Sequence, residues 1–293
     1  MQYLFGLAIA PIIILLSYIK KKDPNPEPKD LLKKIFIFGC LAVIPVFICE
    51  MIYGDLFSFG EEYDEADIFA NVFFGVALVE EFFKWIVVYA ICFKSKHFDE
   101  TYDAIVYAAY SALAFACIEN LIYVFLRGGF TTGVLRAFTA VPGHLCDGII
   151  MGYFVGKARV AKSQGQSAFP LLFCSLFLPT LTHCIYDYLL EIEAILVWLV
   201  FFVGFAIYCF ALVKRAAKNN VTIADGITAQ PAVAQVAPVA PQQPQTTPTI
   251  EISPNVPTYQ QTQNTPAPQP TQPTVTREAQ ATPQQQTPNQ PQA

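Results

Sequence analysis

The stretch Val79-Glu80-Glu81-Phe82-Phe83-Lys84-Trp85 sits in the middle of an otherwise apolar run at residues 68–93. A run of that length can cross a bilayer. Ionisable side chains at mid-membrane depth are expensive, so three of them together require an explanation. Each of the next three apolar runs also carries polar groups near its middle: Glu119 and Asn120, then His144, then His183 with Asp187. We read these four helices as the walls of one buried polar site.

The rest of the chain fits that reading. It has 293 residues, 54% hydrophobic and 14% charged, too few charges for an ordinary soluble domain. The charges fall mostly between long apolar runs. The expected fold is therefore all-α, a polytopic transmembrane bundle of about seven helices. The runs lie at residues 1–19, 35–52, 68–93, 104–126, 133–156, 168–190 and 192–213. The first run lacks a basic leader and a small-residue cleavage site, so it is expected to be a retained helix. Pro24, Pro26 and Pro28 break the chain after it. An acidic loop at residues 55–67 follows the second run, and Arg127-Gly128-Gly129 is expected to turn the chain after the fourth.

The helical domain is expected to occupy residues 1–218. Residues 219–293 are rich in Pro, Gln and Thr, and cannot build a core. They are expected to form a disordered tail. The eight cysteines lie within apolar runs and form no C-x-x-C pair, so they are expected to be buried apolar groups rather than disulfides or zinc ligands. His97 is read as an ordinary surface residue.

Basic residues set the expected orientation. Lys20, Lys21, Lys22, Lys29, Lys33 and Lys34 share a side with Lys94 and Lys96, with Lys157, Arg159 and Lys162, and with Lys214, Arg215 and Lys218. The opposite side has Arg127, with Arg136 just inside the fifth run. This puts the N-terminus outside and the C-terminal tail in the cytoplasm of a multi-pass cell-membrane protein.

Helix geometry tests whether the polar groups can meet. Counting about 1.5 Å per residue from each cytoplasmic end puts Glu80 and Glu81 roughly 18–20 Å up and Lys84 about 14 Å. Glu119 and His183 fall near ~22 Å and His144 near ~18 Å, with Asp187 higher at ~28 Å. Most of them share one layer. Glu80 and Lys84 are four apart, as are His183 and Asp187, so each pair shares a helix face. Phe115 sits one turn before Glu119 and can wall the pocket. Gly148, Gly152 and Gly156 form a stripe suited to close helix packing. Pro142-Gly143 can loosen the fifth helix before His144.

These elements resemble the PrsW family of bacterial intramembrane proteases, with a more distant likeness to the CAAX-processing and bacteriocin self-immunity proteases. The likeness is carried by EEFFKW (80–85), YDAIVYAAYSALAFACIENLIY (102–123), RAFTAVPGHLCDGIIMGYFVG (136–156) and LPTLTHCIYDYL (178–189). It covers most of residues 72–213. The family's paired glutamates and lysine fall on Glu80, Glu81 and Lys84. Its Phe-x-x-x-Glu-Asn element falls on Phe115, Glu119 and Asn120, and its histidines fall on His144 and His183. Lys84, where CAAX-type relatives place an arginine one position later, and Glu119, where they tend to have histidine, favour the PrsW side.

The implied activity is hydrolysis of a peptide bond in a membrane-protein substrate. The expected catalytic residues are Glu80, Glu81, Glu119, His144 and His183, supported by Lys84, Phe115, Asn120 and Asp187. Either glutamate of the pair would activate water, with the histidines assisting proton transfer or holding the oxyanion. Two chemistries stay open. One is metal-independent. The other uses zinc on His144, His183 and Glu119, although no H-E-x-x-H motif is present. The expected partners are a single-pass membrane-protein substrate, which the resemblance suggests is an anti-sigma factor, and the lipid bilayer, with no nucleic acid. A proton-coupled transporter or channel is the competing reading, since buried carboxylates and histidines suit proton relays equally well.

Overall fold

Among the described residues the membrane domain is built of helices, with one isolated β-bridge between Glu100 and Thr222. The computed structural model describes residues 2–56 and 64–223. Part of the acidic loop and nearly all of the Pro/Gln/Thr-rich tail therefore lie outside the described residues.

The described helices are α1 (Gln2–Lys22), α2 (Lys29–Leu41), α3 (Val43–Leu56), α4 (Glu65–Ala70), α5 (Leu78–Ile91), α6 (Asp103–Tyr123), α7 (Gly129–Phe138), α8 (Ala140–Ser163), α9 (Phe169–Glu191) and α10 (Ile195–Lys218). Wider π-helical turns at Asn71–Ala77 and Val124–Gly128 join α4 to α5 and extend α6. Among the described residues, five helical stretches are long and apolar enough to cross a membrane: Gln2–Lys22, Lys29–Leu56, Asp103–Ser163, Phe169–Glu191 and Ile195–Lys218. The third holds α6, α7 and α8 together.

Local chemistry accounts for most boundaries. Asp64 caps α4 by accepting from the Asp67 N–H at 2.8 Å, and Asp67 returns the bond to the Asp64 N–H at 3.3 Å. The turn between α9 and α10 is short and carries Glu193 at φ 55°.

Three expectations need correction. The second run is two helices, α2 and α3, that meet at Ala42, whose backbone stays helical at φ −60°. The fifth run does not begin at residue 133. Gly133 belongs to the separate α7, and the chain breaks at Thr139 (φ −124°, ψ −78°). Pro142 consequently lies in the first turn of α8, where its missing N–H would have had no helical partner anyway, and it does not bend a helix interior. The fourth run, finally, ends in the π-helical turn Val124–Gly128, which already includes Arg127, and Gly129 follows with a φ of 60° that suits a residue without a Cβ.

At the centre stands α6, buried on nearly all sides. Its alanines let neighbours approach. An added Cβ on Gly152 would lie 2.5 Å from the Ala104 carbonyl oxygen, and one on Gly156 would lie 2.6 Å from the Thr101 carbonyl oxygen. The glycine stripe of α8 thus packs directly on the α6 backbone, as small residues allow between membrane helices. Gly39 brings α2 against Ser111 and Ala114 in the same way. Exposed Ile13, Phe47, Leu126 and Val200 face outward, as lipid-facing side chains do. All eight cysteines are free.

Asn220–Ile223, at the start of the sequence's low-complexity region, is attached to the domain. The Thr101 N–H donates to the Val221 carbonyl at 3.0 Å, and the Ile223 N–H donates to the Asp99 carbonyl at 2.5 Å.

Candidate active site

Four helices supply the polar side chains that the sequence placed at one depth. From α5, Lys84 extends its ammonium into a nest of acceptors. Nζ donates to Glu80 Oε2 at 2.9 Å and to Glu81 Oε1 at 2.8 Å. Its third contact is His144 Nδ1 of α8 at 3.0 Å. The Phe115 ring of α6 covers the ammonium at 4.3 Å from the ring centroid. Lys84 has no exposed surface. An ammonium there is tolerable because all three of its hydrogens find partners and two of those are carboxylates.

Glu81 is equally buried and joins α5 to α9, since its Oε1 also lies 2.9 Å from His183 Nδ1. The other face of His183 meets Asp187 Oδ2 at 3.2 Å, with Glu80 Oε2 at 4.0 Å. His144 turns its Nε2 to Glu119 Oε2 of α6 at 2.7 Å. The two imidazoles stand 5.4 Å apart, centroid to centroid. Carboxylates and histidines from α5, α6, α8 and α9 therefore form one connected network.

The wider turns flank this network on both helices that carry glutamates. Asn71–Ala77 ends three residues before Glu80, and Val124–Gly128 begins five residues after Glu119. Such turns change the angular register of the residues beyond them and occur often at functional sites. In α9, Pro179 removes one backbone donor a turn before His183. Thr182 turns its hydroxyl to Asp147 Oδ1 at 2.6 Å and ties α9 to α8. Trp85 Nε1 donates to Ser175 Oγ at 2.8 Å and ties α9 to α5.

A cavity of about 640 Å³ opens beside the network. Glu80, Glu119, His144, His183 and Asp187 line it, whereas Glu81 and Lys84 lie behind that wall. Phe115 also stays behind the wall, against Lys84 and His144. Asn120 turns away from it. Its Nδ2 donates to the Ala8 carbonyl of α1 at 2.9 Å, and its Oδ1 accepts from Arg136 Nε at 3.0 Å.

Sequence reasoning missed Arg136, Asp147 and Glu50 as members of the site region. Arg136 ion-pairs with Glu119 Oε2 at 2.9 Å and stacks over Tyr123 at 4.1 Å. In the sequence it marks only the membrane boundary. Asp147 is buried on the cavity wall, one turn after His144. Glu50 of α3 acts electrostatically on the same cluster, with Glu80 and Glu119 its main acidic neighbours. Asp147 and Glu50 are both ionisable groups inside apolar runs, so the rule that found Glu80 would have found them.

The donors that gather most closely are Glu80, Glu81, His144 and His183, whose ligand atoms all lie within 4.8 Å of one another. Of the expected metal set, His144 and His183 belong to this group. Glu119 stands outside it, on the far nitrogen of His144, where it would orient a ligand rather than be one. Two imidazoles and two carboxylates fit zinc in chemistry. Glu81 Oε2 is buried without a hydrogen-bond partner and leaves one donor atom unspent. The same donors fit a bound ion only if Lys84 Nζ gives up its three contacts.

Residues 27–213 match the family described as PrsW family intramembrane metalloprotease. The chain belongs to the PrsW family. It is 36% identical over 223 residues to Protease PrsW of Oceanobacillus iheyensis, an alignment covering 75% of this chain and 99% of that relative. It is 37% identical to Protease PrsW of Geobacillus kaustophilus over 64% of this chain and 79% of that one. With Protease PrsW of Bacillus subtilis the identity is 31%, over 74% and 94%. No solved structure matches the chain. Membership in the PrsW family makes this chain an intramembrane protease, embedded as a multi-pass membrane protein, and displaces the transporter reading.

Proposed function

We propose that this PrsW-family chain cleaves a single-pass membrane protein at the cavity lined by Glu80, Glu119, His144 and His183. The observation that carries the reading is that two glutamates and two histidines from four helices share one wall of a cavity large enough for a peptide segment. Glu80 is the water-activating base. It faces the cavity, while Glu81 lies behind and spends Oε1 on Lys84 and His183. His183, flanked by Glu81, Glu80 and Asp187, gives a ring proton to the leaving amine and is resupplied with the one that Glu80 drew from water. Arg136 and His144 lie on either side of Glu119 Oε2 and place positive charge and a ring N–H near the developing oxyanion.

If zinc were bound, Glu80, Glu81, His144 and His183 would hold it, and the chemistry supplied would be acidification of a water and polarisation of a carbonyl. Lys84 then has to leave its three partners, and Glu119 fixes the ring of His144 through Nε2.

The setting supports a membrane-protein substrate. A scissile bond must reach polar groups on helices surrounded by apolar side chains, which suits an unwound transmembrane segment. An anti-sigma factor is the candidate that the family resemblance supports. The lysine-rich flanks of α1, α2 and α10 support an outside N-terminus and a cytoplasmic C-terminus.

Reconstitution in liposomes with candidate single-pass substrates tests the proposal. Native protein should cleave, and Glu80→Gln should not. Cleavage at the native rate by Glu80→Gln would remove Glu80 from the chemistry. A single assay for bound zinc on the same samples separates the two chemistries.

A further inference from the structure

A second cluster of acids lies at the opposite end of α6 from Glu119, about 24 Å along the helix. Glu27 comes from the linker between α1 and α2, Asp99 from the loop before α6, and Asp103 from the first turn of α6. Each offers an oxygen, and these oxygens lie within 4.8 Å of one another. Asp103 has no exposed surface and Glu27 is 7% exposed.

The hydrogen-bond inventory leaves one atom over. Asp103 Oδ2 accepts from the N–H groups of Glu100 at 2.7 Å and Asp99 at 3.1 Å. Asp103 Oδ1 is buried and has no hydrogen-bond partner. Glu27 Oε2 is held by the Tyr107 hydroxyl at 2.6 Å, and that hydroxyl also reaches the His97 carbonyl at 2.9 Å. The side chains that act most strongly on Asp103 are Glu27 and Asp99, both acidic. A buried carboxylate oxygen facing other carboxylates, with no donor, is costly unless a proton or a cation resolves it. A proton shared with Glu27 would settle Oδ1 as a cation would, so the two compete for the same place. The available donors are all oxygen: three carboxylates, with the His97 carbonyl close by. That is the ligand chemistry of a hard divalent ion, and it differs from the mixed imidazole and carboxylate set of the cavity.

We propose that Glu27, Asp99 and Asp103 form a binding site for a calcium- or magnesium-type cation, separate from the protease cavity. Its occupant joins the α1–α2 linker to the loop before α6. That loop in turn holds the chain beyond α10, because Asn220 Nδ2 donates to Glu100 Oε2, and Asn220 Oδ1 accepts from the Tyr102 N–H at 2.9 Å. One ion thus fastens three separate parts of the chain at one face of the bundle.

The test uses full-length protein in detergent, stripped with a chelator and titrated with terbium. Tyr107 and Tyr102 border the cluster and can sensitise its luminescence. Terbium emission should rise, and calcium or magnesium should displace it and raise the thermal midpoint. Glu27→Gln and Asp99→Asn should each weaken binding at least tenfold, and Glu80→Gln in the cavity should leave it unchanged. Asp99 is exposed, so its substitution keeps the test available should a variant of the buried Asp103 fail to fold. Equal responses from the native, Glu27→Gln and Asp99→Asn proteins would overturn the site. So would loss of the response in Glu80→Gln, or a thermal midpoint that follows pH but ignores calcium and magnesium.

Discussion

Lys84 Nζ lies 3.0 Å from His144 Nδ1, and this contact sets the tautomer of the imidazole. An ammonium can only donate, so Nδ1 accepts and Nε2 carries the hydrogen that points to Glu119. His144 is thereby held with its Nδ1 lone pair on the Lys84 ammonium and its Nε2–H on Glu119. The lysine occupies the ground that a metal ion would need.

Replacing that lysine separates the two roles. Lys84→Met should bind zinc at least tenfold more tightly than the native chain, because the donors lose their resident cation. The ion-free variant should unfold at lower temperature, since two buried carboxylates lose their partner at a cost of about 3–5 kcal/mol. Competition against a chromophoric chelator and thermal unfolding measure both. Unchanged zinc affinity would show that the ammonium and the ion do not share these donors.

The two glutamates should differ in what they lose. Glu80→Gln should lower proteolysis by about 10²- to 10⁴-fold with little change in stability, as expected for loss of a general base. Glu81→Gln should lower both, because Oε1 of Glu81 holds Lys84 and His183 behind the cavity wall. Parallel cleavage and unfolding assays read the difference. Two equally stable, equally inactive variants would contradict the division of labour.

Arg136→Gln should slow cleavage by about tenfold or more, the range of a lost charge-assisted contact of about 1.5–3 kcal/mol. Arg136→Lys should recover only part of the rate. A lysine cannot reach Glu119 and Asn120 at once as the guanidinium does, nor stack in the same way on Tyr123. Full activity in Arg136→Lys would indicate that charge alone matters.

The helix contact beneath the site is open to a steric test. A Cβ on Gly152 would meet the Ala104 carbonyl at 2.5 Å, so Gly152→Ala should destabilise by about 1–3 kcal/mol as α6 and α8 are forced apart. Gly204→Ala is the control, since nothing lies within 4 Å of its added Cβ. Thermal unfolding of the pair should show a loss for the first alone.

Acidity should act on the Glu27 cluster in an unusual direction. Burial pushes the Glu27 carboxyl up from 4.5 to about 6, against the pull of its hydrogen bonds from Tyr107 and Asp103, with Asp23 and Asp99 adding repulsion. The native state thus holds its proton more tightly than the unfolded chain. The contribution to stability is complete below pH 4.5 and is lost as pH rises through about 6. In chelator-treated protein, the native thermal midpoint should fall across that window relative to Glu27→Gln. An identical pH profile in the two would rule out Glu27 as the source.

Much of this site was legible because the membrane makes polar residues conspicuous. Glu80, Glu81, Lys84, Glu119, His144 and His183 stand out within apolar runs, and a fixed rise per residue converts their positions into a common depth. Depth does not give azimuth. Asn120, one residue beyond Glu119, faces α1 and the guanidinium instead of the cavity, which only the packed bundle reveals. The break at Thr139 was hidden for a related reason. Composition stays apolar across it, so no polar interruption announces that α7 and α8 are separate. Arg136 was visible but was assigned to the membrane boundary, because an arginine near a helix end usually marks one.

The wider turn at Asn71–Ala77 also bears on which changes in length the chain can tolerate. A conservative substitution there alters one side chain. A wider turn holds about one residue more per turn than an α-helix, so a residue lost there can be absorbed by tightening to the ordinary pitch, whereas the same loss inside α5 would swing the glutamate pair by about 100° from its partners. Single-codon deletions among working relatives should therefore fall within Asn71–Ala77 more often than within Leu78–Ile91.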